Sequence, residues 1–275
     1  MGQQLGICEW SFPVSGPLAM RLAAEAGYDG MQIGEAGGRL MGYPLNIRRV
    51  QELYREEAER CGLQLHSLNL GALLAEGTLN DREDTERGGW ARKSLSNGFA
   101  ACEALGIRTV VITVEPPTED AFANVVRHLR FAGELARESG VEIAIESARP
   151  VEEIQRLLDE LGTEAKVCMD LLNPLRFGTG VPQEQIRLLG RERISHFHMK
   201  DSVRALFQRG QRGCVLLGQG DAGYRESVEI IREMGFSCWM ITENYYHLPP
   251  MNDGEQDFTA LAAEDLHTLR ASFPS

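Results

Sequence analysis

Four side chains that could bind a metal ion each stand at the end of a short apolar run. They are Glu146 in VEIAIES, Asp170 in KVCMD, His198 in ISHFHMKD and Glu243 in CWMITEN. One imidazole with carboxylate oxygens suits Mn²⁺, Co²⁺, Mg²⁺ or Zn²⁺ and excludes a thiolate site. Any one of these residues has ordinary structural roles, but their recurrence at consecutive runs predicts a divalent-cation site and therefore an enzyme.

The apolar runs read as strands because they are short and alternate with longer segments of helical period. Such a βαβα order predicts a parallel sheet with crossover helices, and eight strands favour a (β/α)8 TIM barrel, here one domain over residues 1–275. The predicted strands are Leu5–Glu9, Met31–Gly34, Leu65–Leu70, Thr109–Val114, Glu142–Glu146, Lys166–Met169, Ile194–His198 and Cys238–Glu243.

Glycines mark where the intervening helices end. The helices predicted at Gly16–Ala26 and Ile47–Cys61 are followed by Gly27 and Gly62, the residue type preferred after a helix C-terminus. Two polar segments, Leu79–Arg92 and His247–Asp257, are predicted to be long loops, and the first is predicted to enter a helix. Long loops at the carboxyl ends of barrel strands enclose substrates.

Composition narrows the class of protein. A net charge of −12 and a pI near 5.1 disfavour a nucleic-acid partner. The 6 cysteines form no CxxC pair, which favours a reducing cytoplasm. The first residues do not resemble a signal peptide, and no apolar run is long enough to span a membrane, so neither secretion nor membrane insertion is expected.

Further residues near the predicted strand ends are candidates for the site. We expect at most one of His196 and His198 to point toward the barrel axis. Glu115 and His66 are candidates to accept the second N–H of the ligating imidazole. Glu35 and His66 are expected near the ends of strands two and three and are candidates to line the pocket.

The whole chain resembles the xylose isomerase-like superfamily of sugar isomerases and epimerases. The resemblance runs from LGICEWSFP through AAEAGYDGMQI and ALGIRTVVI to GQGDAGYRESVEIIREMGFSCWMITEN, and HFHMKD is similar to the family's H-x-K-D motif on strand seven. It implies that Glu146, Asp170, His198 and Glu243 bind the metal and that Glu146 and Glu243 also serve as acid and base. It also implies a substrate contact for Arg204 and a homo-oligomer.

Two departures from the ketose 3-epimerase pattern concern the substrate. Ser147-Ala148-Arg149 follows Glu146 where epimerases have Pro and then Asn, and Asn173 stands where they have His. The substrate contacts are therefore expected to differ. The residues expected to bind substrate are Trp10, as an apolar wall, His66, Asn173, Arg204 and Lys200, which could instead pair with Asp201.

These residues favour a metal-dependent sugar isomerase or epimerase. It would abstract a proton next to a carbonyl through a metal-stabilised enediolate, with Mn²⁺ as the first choice and Co²⁺, Mg²⁺ or Zn²⁺ as alternatives. The partner is then a small sugar or sugar derivative. The same residues could serve a lyase or dehydratase acting on a keto-cyclitol or keto-glycoside. A non-catalytic barrel would have lost ligands, and an endonuclease for abasic DNA would have a basic face, so both are disfavoured.

Overall fold

A computed structural model describes residues 3–34, 36–209 and 213–274 of the 275-residue chain. Eight parallel strands pair in chain order, and β8 pairs with β1 to close the barrel. The TIM barrel predicted from the apolar runs is confirmed. The strands are β1 (Leu5–Cys8), β2 (Gly30–Ile33), β3 (Gln64–Asn69), β4 (Thr109–Thr113), β5 (Glu142–Glu146), β6 (Ala165–Asp170), β7 (Ile194–Met199) and β8 (Met240–Thr242).

Helices surround the barrel, and the two predicted ones are confirmed to within a residue. Gly27 and Gly62 follow them with φ of 94° and 66°, a left-handed conformation that glycine adopts without a steric penalty. No helix in the described ranges is long and apolar enough to cross a membrane. The helices are α1 (Pro17–Ala26), α2 (Arg48–Cys61), α3 (Gly71–Glu76), α4 (Glu86–Leu105), α5 (Glu119–Ser139), α6 (Val151–Leu161), α7 (Asn173–Phe177), α8 (Pro182–Leu189), α9 (Arg204–Phe207), α10 (Tyr224–Glu233) and α11 (Phe258–Ser272).

The segment Leu79–Arg92 leads into a helix, as predicted, but the loop is shorter than expected because α4 already begins at Glu86. Thr85 caps this helix by accepting the backbone N–H of Gly88 at 3.1 Å. Glycines and charged residues in the first turns obscure the helical pattern in the sequence. The segment His247–Asp257, by contrast, contains neither helix nor strand, as predicted.

Aromatic rings fill the barrel interior. The Trp239 side chain packs against β1 and β2, where Gly6 and Gly30 leave room for it. A Cβ atom at Gly30 would lie 2.7 Å from a carbon of this indole, so a larger residue would displace the ring. His196 and His198 both lie inside, fully buried, with ring centroids 5.7 Å apart.

The expectation that at most one of His196 and His198 points inward is therefore wrong. Side chains alternate between the two faces of a strand at successive residues, so positions two apart return to the same face. His196 lies two residues before His198 on β7, so its side chain also points into the barrel, further from the carboxyl ends of the strands.

Candidate active site

The four candidate metal ligands meet at the carboxyl end of the barrel. Glu146, Asp170 and His198 stand at or near the ends of β5, β6 and β7, and Glu243 directly follows β8. Because parallel strands of a barrel end on one face, adjacent strand ends bring these side chains together. One potential ligand atom from each lies within 4.8 Å of the others, and all four residues are buried. We call this group the four-ligand cluster.

Within the described residues, three buried atoms of the four-ligand cluster make no well-aligned hydrogen bond, although charged groups lie close to each of them: Asp170 Oδ2, His198 Nδ1 and Glu243 Oε2. His198 Nδ1 is 3.0 Å from Glu243 Oε2 and 3.6 Å from Glu146 Oε1. Buried polar atoms in proteins are nearly always hydrogen-bonded or bound to an ion. The convergence of these atoms, together with the oxygen-rich donor set, fits a divalent cation.

Neutral donors orient the carboxylates of the cluster. Glu146 accepts the hydroxyl of Thr113 at Oε2 (3.0 Å) and the side-chain amide of Asn173 at Oε1 (3.3 Å). Glu243 accepts the indole N–H of Trp10 at Oε1 (2.9 Å). Each carboxylate is thus fixed by donors from neighbouring segments, which leaves a defined oxygen facing His198.

Backbone donors orient Asp170. Its Oδ1 accepts the backbone N–H groups of Leu172 and Asn173 at 2.7 and 2.6 Å. This is the turn-capping role that an aspartate has before a helix start. Capping uses one oxygen only, so Oδ2 is directed toward the cluster.

Lys200 supplies a buried positive charge beside two of these carboxylates. Its Nζ is 2.9 Å from Asp170 Oδ2 and 2.7 Å from Glu243 Oε2, and its side chain is only 3% exposed. Burial by itself lowers the pKa of Lys200, but the charges of Asp170 and Glu243 outweigh it and hold that pKa well above its ordinary value. Burial raises the pKa of Glu243, yet Lys200 and His198 together hold it well below its usual range.

The pairing of Lys200 with Asp201 that the sequence allowed is wrong. Asp201 instead accepts backbone N–H groups of the following loop, including those of Gly218 (2.9 Å), Gly220 (3.0 Å) and Ala222 (3.1 Å). The two charged residues of HFHMKD therefore have separate tasks. Lys200 contacts the four-ligand cluster, whereas Asp201 holds the turn before α10.

Gln32 is the partner of the second imidazole nitrogen, and the sequence reasoning missed it. Gln32 Oε1 lies 3.0 Å from His198 Nε2. The expected partners are wrong, because Glu115 accepts the backbone N–H of Ala148 and His66 Nδ1 is 2.9 Å from Ser67 Oγ. The sequence does contain one indication of this role, because Gln32 is a polar residue inside the otherwise apolar strand GMQI.

Cys168, His196 and His198 form another group whose ligand atoms lie within 4.8 Å. Burial raises the pKa of the Cys168 thiol to about 12, so the sulfur is protonated at neutral pH and packs as a small apolar group. The ring of His66 packs on His196 (4.8 Å between centroids) and on Trp239 (4.9 Å). These side chains line the barrel interior.

A cavity of about 1180 Å³ opens above the four-ligand cluster. Of the residues predicted to bind substrate, Trp10, Asn173 and Lys200 line it, next to Glu146 and Glu243. His66 and Arg204 are not among its described lining residues. Arg204 begins α9 with an exposed side chain, whereas Phe207 at the end of the same helix lines the cavity. Glu35 is outside the described residues.

Comparison with known proteins supports this description of the fold. The chain is 28% identical over 234 residues to 2-epi-5-epi-valiolone 7-phosphate 2-epimerase of Actinoplanes sp., which covers 83% of this chain and 82% of that protein. The fold of the present chain is similar to that of D-allulose 3-epimerase from Methylomonas sp. (TM-score 0.77, 16% identity, covering 99% of this chain and 98% of that chain). It is also similar to the IolI protein solved with a zinc atom (TM-score 0.77, 18% identity, 98% and 97%).

A family model described as a xylose isomerase-like TIM barrel matches residues 20–270, which is most of the chain. The eight-stranded closed barrel agrees with that description. The chain therefore belongs to the xylose isomerase-like TIM barrel family.

Proposed function

We propose that this protein is a divalent-metal-dependent epimerase or isomerase of a sugar or sugar derivative. The observation that carries the proposal is the four-ligand cluster, whose buried donor atoms converge at the floor of a large cavity. The relative from Actinoplanes is by name an epimerase of a phosphorylated compound, and the allulose enzyme is by name a ketose epimerase. Both names support the same class of reaction.

Glu146, Asp170, His198 and Glu243 would hold the ion. The donor set suits Mn²⁺ first, and Co²⁺, Mg²⁺ and Zn²⁺ are the alternatives. When bound, a divalent cation acts as a Lewis acid that polarises the oxygens beside the reacting carbon.

Glu146 and Glu243 would move the proton. They come from strand ends separated by β6 and β7, and their oxygens lie 3.6 and 3.0 Å from His198 Nδ1, so they could act on opposite faces of a bound substrate. One carboxylate takes the proton as the C–H bond breaks, and the electron pair moves toward the carbonyl oxygen to form an enediolate. The other, as a carboxylic acid, donates a proton to the opposite face of that carbon, and a new C–H bond forms with inverted configuration.

The cavity wall would orient the sugar. The indole of Trp10 is fixed by its N–H bond to Glu243 and provides an apolar surface on which a sugar ring can stack. Asn69 Oδ1 is buried and has no hydrogen-bond partner among the described residues, and Asn69 lines the cavity, so this oxygen can accept a substrate hydroxyl. Asn173 also lines the cavity, and its side-chain amide donates a hydrogen bond to Glu146.

The first test of this proposal is the metal content of the protein. After exposure to Mn²⁺, Co²⁺, Mg²⁺ and Zn²⁺ we expect about one tightly bound ion per chain, and none in His198→Ala, because a metal site requires its full ligand set. His267→Ala, an exposed histidine on α11, is the control and should retain the ion. Equal metal content in all three proteins would contradict the assigned site.

The second test follows the proton. Keto-sugars and their derivatives are incubated with the metal-loaded protein in deuterium oxide and examined by NMR. An epimerase or isomerase should introduce deuterium at the carbon next to the carbonyl. Elimination of water or an aglycone would instead reveal a lyase, and the absence of both reactions across the panel would contradict the proposed activity.

Replacement of Gln32 by Met should weaken metal binding. The change removes the acceptor that fixes the tautomer and orientation of His198, and partners of this kind contribute about 10–100-fold to metal affinity. Titration against a chelating dye measures the effect. Gln64→Met, at the exposed start of β3, is the matched control, and equal affinities of the two variants would exclude this role for Gln32.

A further inference from the structure

Arg176 presents a guanidinium group without an anionic partner to the cavity. Its Nε and Nη2 atoms are buried, and neither has a hydrogen-bond partner in the part of the chain that the structure describes. The residue lines the cavity above the four-ligand cluster. Buried guanidinium nitrogens that lack an acceptor are unfavourable even in a half-buried side chain, so this position indicates that the acceptor is a molecule that enters the cavity.

The other cationic residues of the cavity wall are already paired. Arg149 Nε lies 2.8 Å from Glu153, and Lys200 contacts Asp170 and Glu243. The wall also carries carboxylates, and the whole chain has a net charge of −12. Arg176 is thus the described lining residue best able to attract an anion into a cavity that is otherwise acidic.

The position of Arg176 on α7 relates it to the reacting carbon. Asn173 donates to Glu146 from the first turn of this helix, and Arg176 is three residues later. Residues at that spacing share a helix face, with Cβ atoms about 5–6 Å apart. A sugar whose reacting carbon lies at Glu146 could therefore place a group a few bonds away beside Arg176.

We propose that Arg176 binds an anionic group of the substrate, and that the substrate is accordingly a sugar phosphate or a sugar acid rather than a neutral ketose. This inference rests on the proposed function for the identity of the reaction. The planar guanidinium suits both phosphate and carboxylate because it can donate two parallel N–H bonds to either. The cavity volume of about 1180 Å³ leaves room for such a substituent beside the sugar.

Arg176→Met tests the site, since it retains length and apolar contact but removes charge and donors. Inorganic phosphate is titrated into the metal-free protein by calorimetry, which requires no turnover. Charge-assisted hydrogen bonds are worth enough for a loss of about 10–100-fold in affinity. Arg187→Met, an exposed arginine of α8, should bind phosphate like the wild type. Unchanged binding by Arg176→Met would overturn the assignment.

Steady-state kinetics then identify the anion. We compare a ketose phosphate, a keto-sugar acid and the neutral ketose of the same skeleton. Arg176→Met should lower kcat/KM about 10–100-fold for the preferred anionic substrate and much less for the neutral one, and Arg176→Lys should recover part of the loss. Equal losses for charged and neutral substrates would overturn the proposal.

The two proposals fail in different ways. If neutral keto-sugars exchange deuterium as fast as anionic ones, and Arg176→Met does not change the rate, the anion site is refuted. The proposed epimerase activity would still stand. Phosphate binding that depends on Arg176, without exchange into any keto-sugar, supports the anion site and refutes the reaction.

Discussion

Glu146→Gln and Glu243→Gln should each slow turnover by about 10²–10⁴-fold, the usual contribution of a general acid or base. The amide has nearly the same shape as the carboxylate and can still offer an oxygen to a metal ion, but it cannot accept or return the proton. Both residues are positioned by neighbouring donors at strand ends, so the fold should be retained. The rate of epimerisation is measured at matched metal content.

A reaction with two bases makes a sharper prediction for these variants. Each retains one carboxylate, on one face of the substrate. Each variant should therefore still exchange the proton of one epimer with deuterium oxide, although it no longer interconverts the two. We expect Glu146→Gln and Glu243→Gln to retain exchange with opposite epimers, which NMR of the recovered sugars detects.

Glu142→Gln is the control for both substitutions. Glu142 begins β5, the strand that ends at Glu146, and contacts Lys166 at the opposite end of the barrel. The same chemical change at this position should leave turnover close to that of the wild type. Wild-type rates in both cluster variants would refute the acid and base roles, and loss of exchange with both epimers in either variant would refute a separate base for each face.

The barrel could be predicted from the sequence because local signals agree with the global fold. Short apolar runs separated by helical segments, with glycine after the helices, define the order of strands and helices. In a barrel of this order all strands are parallel, so their carboxyl ends lie at the same rim. The meeting of Glu146, Asp170, His198 and Glu243 follows from that topology without any knowledge of their rotamers.

The neighbours of the cluster could not be predicted in the same way. Whether Lys200 pairs with Asp201 or with Asp170 depends on which direction a side chain takes after its strand has ended. Periodicity no longer applies there, and loop geometry decides. Gln32 is similar, because its contact with His198 crosses the barrel interior between strands that are far apart in sequence.

Arg204 and Arg176 also show that side-chain positions in the loops after the strands could not be predicted. Family resemblance suggested Arg204 as a substrate contact, but its side chain is exposed at the start of α9. Arg176 lines the cavity instead, because α7 follows Asp170 and folds back over the strand ends. Only the path of the loops after β6 and β7 distinguishes the two residues.

The wrong prediction that only one of His196 and His198 points inward has a different cause. The order of residues in ISHFHMKD already implies that His196 and His198 share a face, since they are two positions apart on a strand. The structure shows both rings inside the barrel, which follows directly from strand geometry.

Charge balance in the cluster leads to a final prediction about Lys200. One ammonium group lies between Asp170 and Glu243, and all three side chains are almost fully buried, so removal of the cation leaves like charges together in a poorly solvated site. Such a loss typically costs about 3–5 kcal/mol. Lys200→Met in the presence of a chelator should therefore lower the free energy of unfolding by about that amount, measured by denaturant titration.

Lys166→Met is the matched control, because the Lys166–Glu142 pair has a similar separation (2.6 Å) but is 39% and 33% exposed. Exposed pairs contribute about 0–1 kcal/mol, so this variant should be almost as stable as the wild type. Divalent metal should then stabilise Lys200→Met more than the wild type, because a cation held by Asp170 and Glu243 replaces the missing charge, and binding to the folded state raises its stability. Equal stabilities of the two lysine variants in chelator, or equal stabilisation of Lys200→Met and the wild type by metal, would show that the ammonium and the metal ion do not act on the same carboxylates.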